Sequence, residues 1–125
     1  MTKTTYVDGF VLVVPKKRLS EYTKMAKSGA KLWMKHGALD YKECMLDDAK
    51  PTWVTLFFPV MMKAKPNETV WFSYIEYKSK AHRDAVNKKV MSDPSMKEHT
   101  PSDMDKMPFD MKRMSYGGFK VLVNG

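Results

Sequence analysis

Histidine is the side chain whose protonation changes closest to neutral pH, and the sequence contains three, His36, His82 and His99. His36 ends one amphipathic helical pattern and His82 begins another. A fold that brings these two helix ends together would place two imidazoles in one site. We therefore take His36 and His82 as candidate catalytic residues for acid–base chemistry, whereas His99 lies in a polar segment and is predicted to be solvated.

Carboxylates, phenols and an indole stand at the strand and helix ends that the same fold would gather there. These candidate ligand-binding residues are Tyr6, Asp8, Trp33, Tyr41, Glu76 and Tyr77. Imidazole, carboxylate and phenol together could bind a small organic molecule and move a proton. The alternative interpretation is structural, with both histidines satisfying backbone groups at helix ends and the carboxylates pairing with nearby lysines.

Other kinds of site find no support in the sequence. No His-x-His or Glu-x-x-His spacing occurs, so neither a metal site nor a cofactor is predicted. A single cysteine excludes an internal disulfide framework, and Cys44, within a strand pattern, is expected to be a small buried apolar residue. Motifs for serine hydrolysis and for standard nucleotide binding are absent.

The first half of the chain predicts a strand, a helix and a second strand. Residues 6–14 are β-branched and end at a proline, which indicates a buried strand whose helix-facing positions are predicted to be Val7, Gly9, Val11 and Val13; Asp8 would then face the other way. An apolar helical stripe follows, made of Leu19, Tyr22, Met25, Ala26, Gly29 and Trp33, with lysines opposite and Gly37 as the stop. Residues 38–46 are a weaker strand pattern.

The second half repeats this order after a connection. Residues 52–62 could extend a hairpin or pack as an edge segment, because a proline argues against a central strand. Residues 70–77 are the clearest strand, Ser79 is expected to cap a helix from Lys80 to about residue 92, and residues 115–123 form the last strand. Residues 95–111 are predicted to be a loop with a short helical turn at most.

This order predicts one α+β domain over residues 1–125, of the ferredoxin-like βαββαβ type. Its antiparallel sheet carries two helices on one face. The other face carries large aromatic residues, which are costly to leave in water, so we expect a homodimer packed through the sheet faces.

Several segments also resemble one family. They are DGFV at 8–11, WMKHGAL at 33–39, KAKP at 63–66, KAHRDAVN at 80–87, MPFD at 107–110, KRM at 112–114 and GGF at 117–119. In this order they are similar to the YbaA-like family of small bacterial proteins of unknown function, from about residue 6 to residue 123. The resemblance implies a dimeric α/β-barrel protein in the cytoplasm and supplies no established activity. The wider superfamily includes cofactor-independent monooxygenases and isomerases, haem-degrading enzymes and stress-response proteins.

Composition narrows the partners. The net charge is +8 at pH 7, yet four of the lysines lie on the solvent side of the first helix and arginines are few, so nucleic-acid (RNA) binding is the least favoured of the functions considered. No apolar run is long enough to span a bilayer, and no membrane partner is expected. The sequence predicts a cytoplasmic homodimer that binds a small organic ligand, with oxygenase- or isomerase-like activity left open. The alternative is a non-enzymatic interaction or stress-associated dimer.

Overall fold

A computed structural model describes residues 3–97 and 107–125 of the chain. Its elements are β1 (Tyr6–Pro15), α1 (Leu19–Lys35), β2 (Asp40–Met45), α2 (Phe58–Met61), β3 (Glu68–Tyr77), α3 (Lys80–Met91), α4 (Pro94–Lys97) and β4 (Ser115–Lys120). The predicted order of strands and long helices is confirmed, with two short helices added. His99 lies outside the described residues, and none of the described helices is both long and apolar enough to cross a membrane.

The four strands form one antiparallel sheet in the order β2-β3-β1-β4. The two central strands pair along ten residues, from Tyr6 opposite Tyr77 to Pro15 opposite Glu68, and the two edge strands have six residues each. This arrangement confirms the ferredoxin-like α+β fold. The sheet is open in the single chain.

The helices cover the face opposite to the one that strand alternation predicted. Leu12 and Val14 of β1 pack against Tyr22 and Ala26 of α1, and Trp71 of β3 completes this half of the core. The prediction that the odd-numbered residues of β1 face the helices is therefore wrong. The even-numbered residues include the larger side chains, which fill the space beneath two helices better than valine and glycine do.

The second half of the core lies at the other end of the same layer. Tyr6, Ile75 and Tyr77 pack there against Val86 and Val90 of α3. Asp8 shares this face and is only 2% exposed, so its predicted orientation is also wrong. A buried carboxylate is tolerated only with partners, which α3 and β4 provide.

The remaining face of the sheet, here called the helix-free face, carries exposed aromatic side chains. Phe72 of β3 is 46% exposed and Phe119 of β4 is 60% exposed. Gly9 and Gly117 are cross-strand partners beneath the Phe119 ring, and a Cβ at Gly9 would come within 3.2 Å of it. These two glycines allow the ring to lie flat along the strands.

Two local predictions are resolved by chain geometry. The connection between β2 and β3 neither extends the hairpin nor forms an edge strand; it contains α2, with Pro59 in the first turn, where its missing N–H costs nothing. Cys44 is exposed rather than buried, because it lies on an edge strand opposite Phe72 on the helix-free face.

Candidate functional site

His36 belongs to a polar network around Asp93, just after α3. Its Nε2 atom lies 2.7 Å from Asp93 Oδ2, which also accepts a hydrogen bond from Lys35 Nζ at 3.0 Å. The backbone N–H and the hydroxyl of Ser95 donate to Asp93 Oδ1. The hydrogen bond from His36, with those from Ser95 and Lys35, holds the pKa of the Asp93 carboxyl well below its usual range.

This network resembles a catalytic triad in composition but not in connectivity. Nucleophile activation requires the imidazole to lie between the hydroxyl and the carboxylate. Here Asp93 lies between His36 and Ser95, so the imidazole contacts no hydroxyl in the network. The arrangement ties the end of α1 to the end of α3.

His82 lies at the other end of α3, where its imidazole accepts a hydrogen bond from the backbone. Its Nδ1 atom accepts the N–H of Lys78 at 2.9 Å, and its own N–H is capped by the hydroxyl of Ser79, as predicted for that residue. Desolvation, together with the charge of Lys78, lowers the pKa of the His82 imidazole. The neutral ring therefore carries its proton on Nε2, which faces Gly37.

The two imidazoles thus bind groups at opposite ends of α3. Asp93 follows His82 by eleven residues, which corresponds to roughly 16 Å along a helix at about 1.5 Å per residue. The C-terminal end of α1 does meet the first turn of α3, because Gly37 lies beside His82. However, none of the hydrogen bonds made by the described residues joins His36 to His82.

Asp8 lies at the centre of a second network, between β1, β4 and α3. Its Oδ1 atom accepts hydrogen bonds from Arg83 Nη1 at 2.8 Å and from the Tyr116 hydroxyl at 3.0 Å. The Arg83 guanidinium also binds Asp84 and lies 5.2 Å from the centre of the Tyr6 ring. Burial opposes the charge of Arg83, but the bond to Asp84 and the charge of Asp8 outweigh it and raise the pKa of the guanidinium.

Tyr77 is the candidate residue whose hydroxyl lacks a hydrogen-bond partner among the described residues. Its side chain is fully buried, and its hydroxyl makes no hydrogen bond of normal geometry with any described residue. The nearby Trp33 indole donates instead to Asn87 Oδ1 at 3.1 Å. Burial, with the neighbouring charge of Asp8, raises the pKa of the Tyr77 phenol. A buried hydroxyl without a hydrogen-bond partner lowers the free energy of unfolding by about 1–3 kcal/mol. A polar group that bound to this oxygen would therefore be stabilising.

A third network, around Glu43, was missed in the sequence. Glu43 Oε1 accepts from the Tyr22 hydroxyl at 2.7 Å and from the Ser73 hydroxyl, and Oε2 accepts from the Tyr41 hydroxyl at 2.7 Å. Burial, with the charge of Glu43, raises the pKa of both phenols. A Cβ at Gly29 would lie 3.1 Å from the Tyr41 hydroxyl, so this glycine makes room for it.

One sequence signal could have revealed the Glu43 network. Tyr41 and Glu43 are two residues apart and therefore share a face of β2. The register places Glu43 opposite Ser73, among residues that face α1. Without that register, the pattern of charged residues in β2 is the same as that of a strand exposed at the edge of a sheet.

The eight sequence-predicted residues therefore do not form one site. Tyr6, Asp8 and Tyr77 lie together, with His82 edge-on to Tyr77 at 5.8 Å between ring centres. Trp33 joins them from α1. Tyr41 borders the group, with its ring 6.3 Å from that of Trp33, while its hydroxyl belongs to the Glu43 network. Two residues lie apart: His36 is in the Asp93 network, and Glu76 is on the helix-free face.

These residues show no metal-binding geometry, and two surface grooves lie away from them. In residues 3–97 and 107–125, no group of three or more His, Cys, Asp or Glu side chains is arranged to hold a metal ion. Two surface grooves of about 500 and 460 Å³ lie elsewhere, one along the exposed side of α1 and one beside residues 107–113. None of the eight residues lines either groove.

Comparison with known proteins agrees with the fold and the sequence resemblance. A dimeric ferredoxin-like protein from an uncultured marine organism has a similar structure, with a TM-score of 0.58 over 97% of this chain and 99% of that chain, at 13% identity. The uncharacterized protein YbaA of Escherichia coli (strain K12) is 49% identical over 119 residues, 95% of this chain and 97% of the relative. YbaA of Shigella flexneri is equally similar. Residues 5–111 match the family described as "Protein of unknown function (DUF1428)", and the chain therefore belongs to the DUF1428 family.

Proposed function

We propose that the protein acts as a homodimer joined through the helix-free face of its sheet. The observation that carries this proposal is the exposure of two aromatic rings on one face of a sheet whose other face is covered: Phe72 on the central strand β3 and Phe119 on the edge strand β4. Burying apolar surface contributes roughly 25 cal/mol per Å², so covering such rings is favourable. The marine protein is described as dimeric, which supports a dimer.

The composition of this face suits a second copy. Besides the two rings it carries Val7 and Val11, and its charges include the Asp40–Lys42 ion pair at 2.9 Å. A two-fold axis brings identical patches together, so one self-complementary face covers both protomers.

Sedimentation velocity at micromolar concentration tests the dimer. We expect the wild-type chain to sediment at twice the monomer mass, and Phe119→Glu and Phe72→Glu each to sediment as folded monomers. Met91→Glu, at a similarly exposed apolar residue of α3, is the matched control and should stay dimeric. A monomeric wild-type chain, or dimeric Phe variants, would overturn the proposal.

A second candidate function rests on the orphaned hydroxyl of Tyr77. We propose that a small organic ligand with a carbonyl acceptor binds between α3 and the sheet, where the Tyr77 phenol can donate to it. Trp33 and Tyr6 supply aromatic surface in this place, and Asp8 supplies charge. An isomerase- or oxygenase-like reaction would find its acid–base group in His82, whose ring contacts Tyr77. His36 is engaged by Asp93 on the far side.

Ligand binding can be tested by NMR with acetophenone as the probe. We expect amide shifts in residues around Tyr77 for the wild-type chain, loss of these shifts in Tyr77→Phe, and their retention in Tyr22→Phe, the control from the Glu43 network in the other half of the core. His82→Gln should weaken the response and His36→Gln should not. Absence of shifts up to millimolar probe would leave the interaction dimer as the function.

We also propose residence in the cytoplasm. The sole cysteine of the chain is an exposed free thiol, which a reducing compartment preserves. Fractionation of cells that produce the tagged full chain tests this directly, and recovery in the membrane or periplasmic fraction would contradict it.

A further inference from the structure

The connection between β2 and β3 carries the most exposed aromatic side chain of the described chain. We call residues 53–61 the arm. Trp53 is 85% exposed and Leu56 is 67% exposed, and three more apolar side chains of the arm, Phe58, Val60 and Met61, are also exposed. Monomeric proteins rarely leave such a contiguous apolar segment in water.

The composition of the arm is that of an interface core. Residues 51–62 contain no charged side chain, although charged residues make up 29% of the whole chain. Depletion of charge with enrichment in aromatic residues and methionine distinguishes the centre of a protein interface from ordinary surface. The sequence of the arm therefore favours a protein partner over solvent.

The arm lies beside the sheet. Its helix α2 contacts β3, the strand that carries Phe72. On the helix-free face the cross-strand partners Val13 and Val70 are buried, while Phe72, the next residue of β3 on that face, is exposed. The apolar arm and the exposed ring of Phe72 are therefore connected through one strand.

The sheet alone offers little area for a stable dimer. Two central strands roughly 33 Å long and two edge strands roughly 20 Å long, about 4.8 Å apart, give a footprint of about 500 Å². A stable interface commonly buries about 800 Å² of accessible surface on each partner. Additional apolar surface would therefore strengthen a sheet-to-sheet contact, and the arm lies beside the sheet at β3.

We infer that the arm of each protomer packs against the second copy of the chain and forms the outer part of the dimer interface. This inference rests on the proposed sheet-to-sheet dimer. Two-fold symmetry makes the contact reciprocal, so both arms are covered at once. Trp53 is the expected anchor, because a large aromatic side chain contributes most when an interface buries it.

Sedimentation equilibrium of a Trp53→Ser/Leu56→Ser variant tests the inference. We expect its dimer dissociation constant to rise at least tenfold while its circular dichroism and Tm in the monomer range stay unchanged. The control is Met34→Ser/Met91→Ser, which removes two exposed apolar side chains from the helices and should leave the constant unchanged.

The outcomes separate this inference from the proposal on which it rests. An unchanged constant for the arm variant, with Phe119→Glu monomeric, would overturn the role of the arm and leave the sheet dimer intact. A weakened arm variant with Phe119→Glu still dimeric would overturn the sheet dimer.

Tryptophan fluorescence gives an independent readout. Of the three tryptophans, Trp71 is buried and Trp33 is half-buried, so most of the quenching of fluorescence by iodide in a monomer should come from the exposed Trp53. We expect quenching to increase when the wild-type chain is diluted below its dissociation constant, and this increase to vanish in Trp53→Phe. Quenching that is independent of concentration in a chain shown to dissociate would refute the inference.

Discussion

Arg83 of α3 and Asp8 of β1 form an ion pair of 2.8 Å that joins a helix to the central strand beneath it. Both side chains are largely withdrawn from water, and the Tyr116 hydroxyl binds the same carboxylate oxygen. The pair explains how the helix-facing side of β1 accommodates a carboxylate. It also leaves Arg83 and Asp8 mutually dependent.

Removing either partner of this pair should therefore be costly. Asp8→Asn and Arg83→Met are each expected to lower the free energy of unfolding by about 3 kcal/mol, because each removes the buried opposite charge; Arg83 then keeps the exposed Asp84, and Asp8 keeps the Tyr116 hydroxyl. Urea denaturation measures the change. Asp84→Asn removes the exposed partner of the same guanidinium and should cost less than about 1 kcal/mol. Equal losses from Asp8→Asn and Asp84→Asn would contradict the burial argument.

Glu68 should make stability depend on acid pH. Its bidentate hydrogen bonds with Arg113 lower the pKa of the carboxyl from 4.5 to about 2. The folded state thus holds this proton less tightly than the unfolded state, and the stabilisation is complete above pH 4.5 and is lost as pH falls through about 2. Wild-type minus Glu68→Gln unfolding free energies, measured by urea between pH 7 and pH 2, should converge at the acid end. A difference independent of pH would show that the pair contributes no linkage.

Glu43 should anchor α1 to the edge strand β2. Glu43→Ala leaves three hydroxyls without their acceptor and is expected to cost more than about 2 kcal/mol, whereas Tyr41→Phe removes one hydrogen bond and should cost about 1 kcal/mol. Lys42→Ala, on the opposite face of the same strand, is the control. Thermal and urea unfolding provide the measurement. An equal cost for Glu43→Ala and Lys42→Ala would mean that the network contributes nothing to stability.

Cys44 reports on the proposed dimer. It is the only thiol in the chain and lies exposed on the helix-free face, opposite Phe72. We expect it to react with a disulfide reagent at least tenfold more slowly in the dimer than in Phe119→Glu, because the partner sheet would cover it. Equal rates at concentrations where the wild-type chain is dimeric would place the interface away from this strand.

Local sequence patterns determined the elements of this protein. The apolar stripe of α1, the stop at Gly37 and the cap at Ser79 follow from periodicity and backbone chemistry within a few residues, and the structure has each in place. Together with the order of strands they led to the ferredoxin-like fold, since few topologies accommodate that order.

Register and packing decided the rest. Alternation separates two faces of β1 but cannot say which one meets the helices, and burial of Asp8 depends on an arginine 75 residues away. The partner of His36 and two of the three partners of Glu43 likewise come from other elements, 57 residues and up to 30 residues distant. Side-chain types that suit acid–base chemistry are therefore visible in the sequence. Their grouping into separate networks arises only when helix and sheet pack and each buried polar group must find its partner.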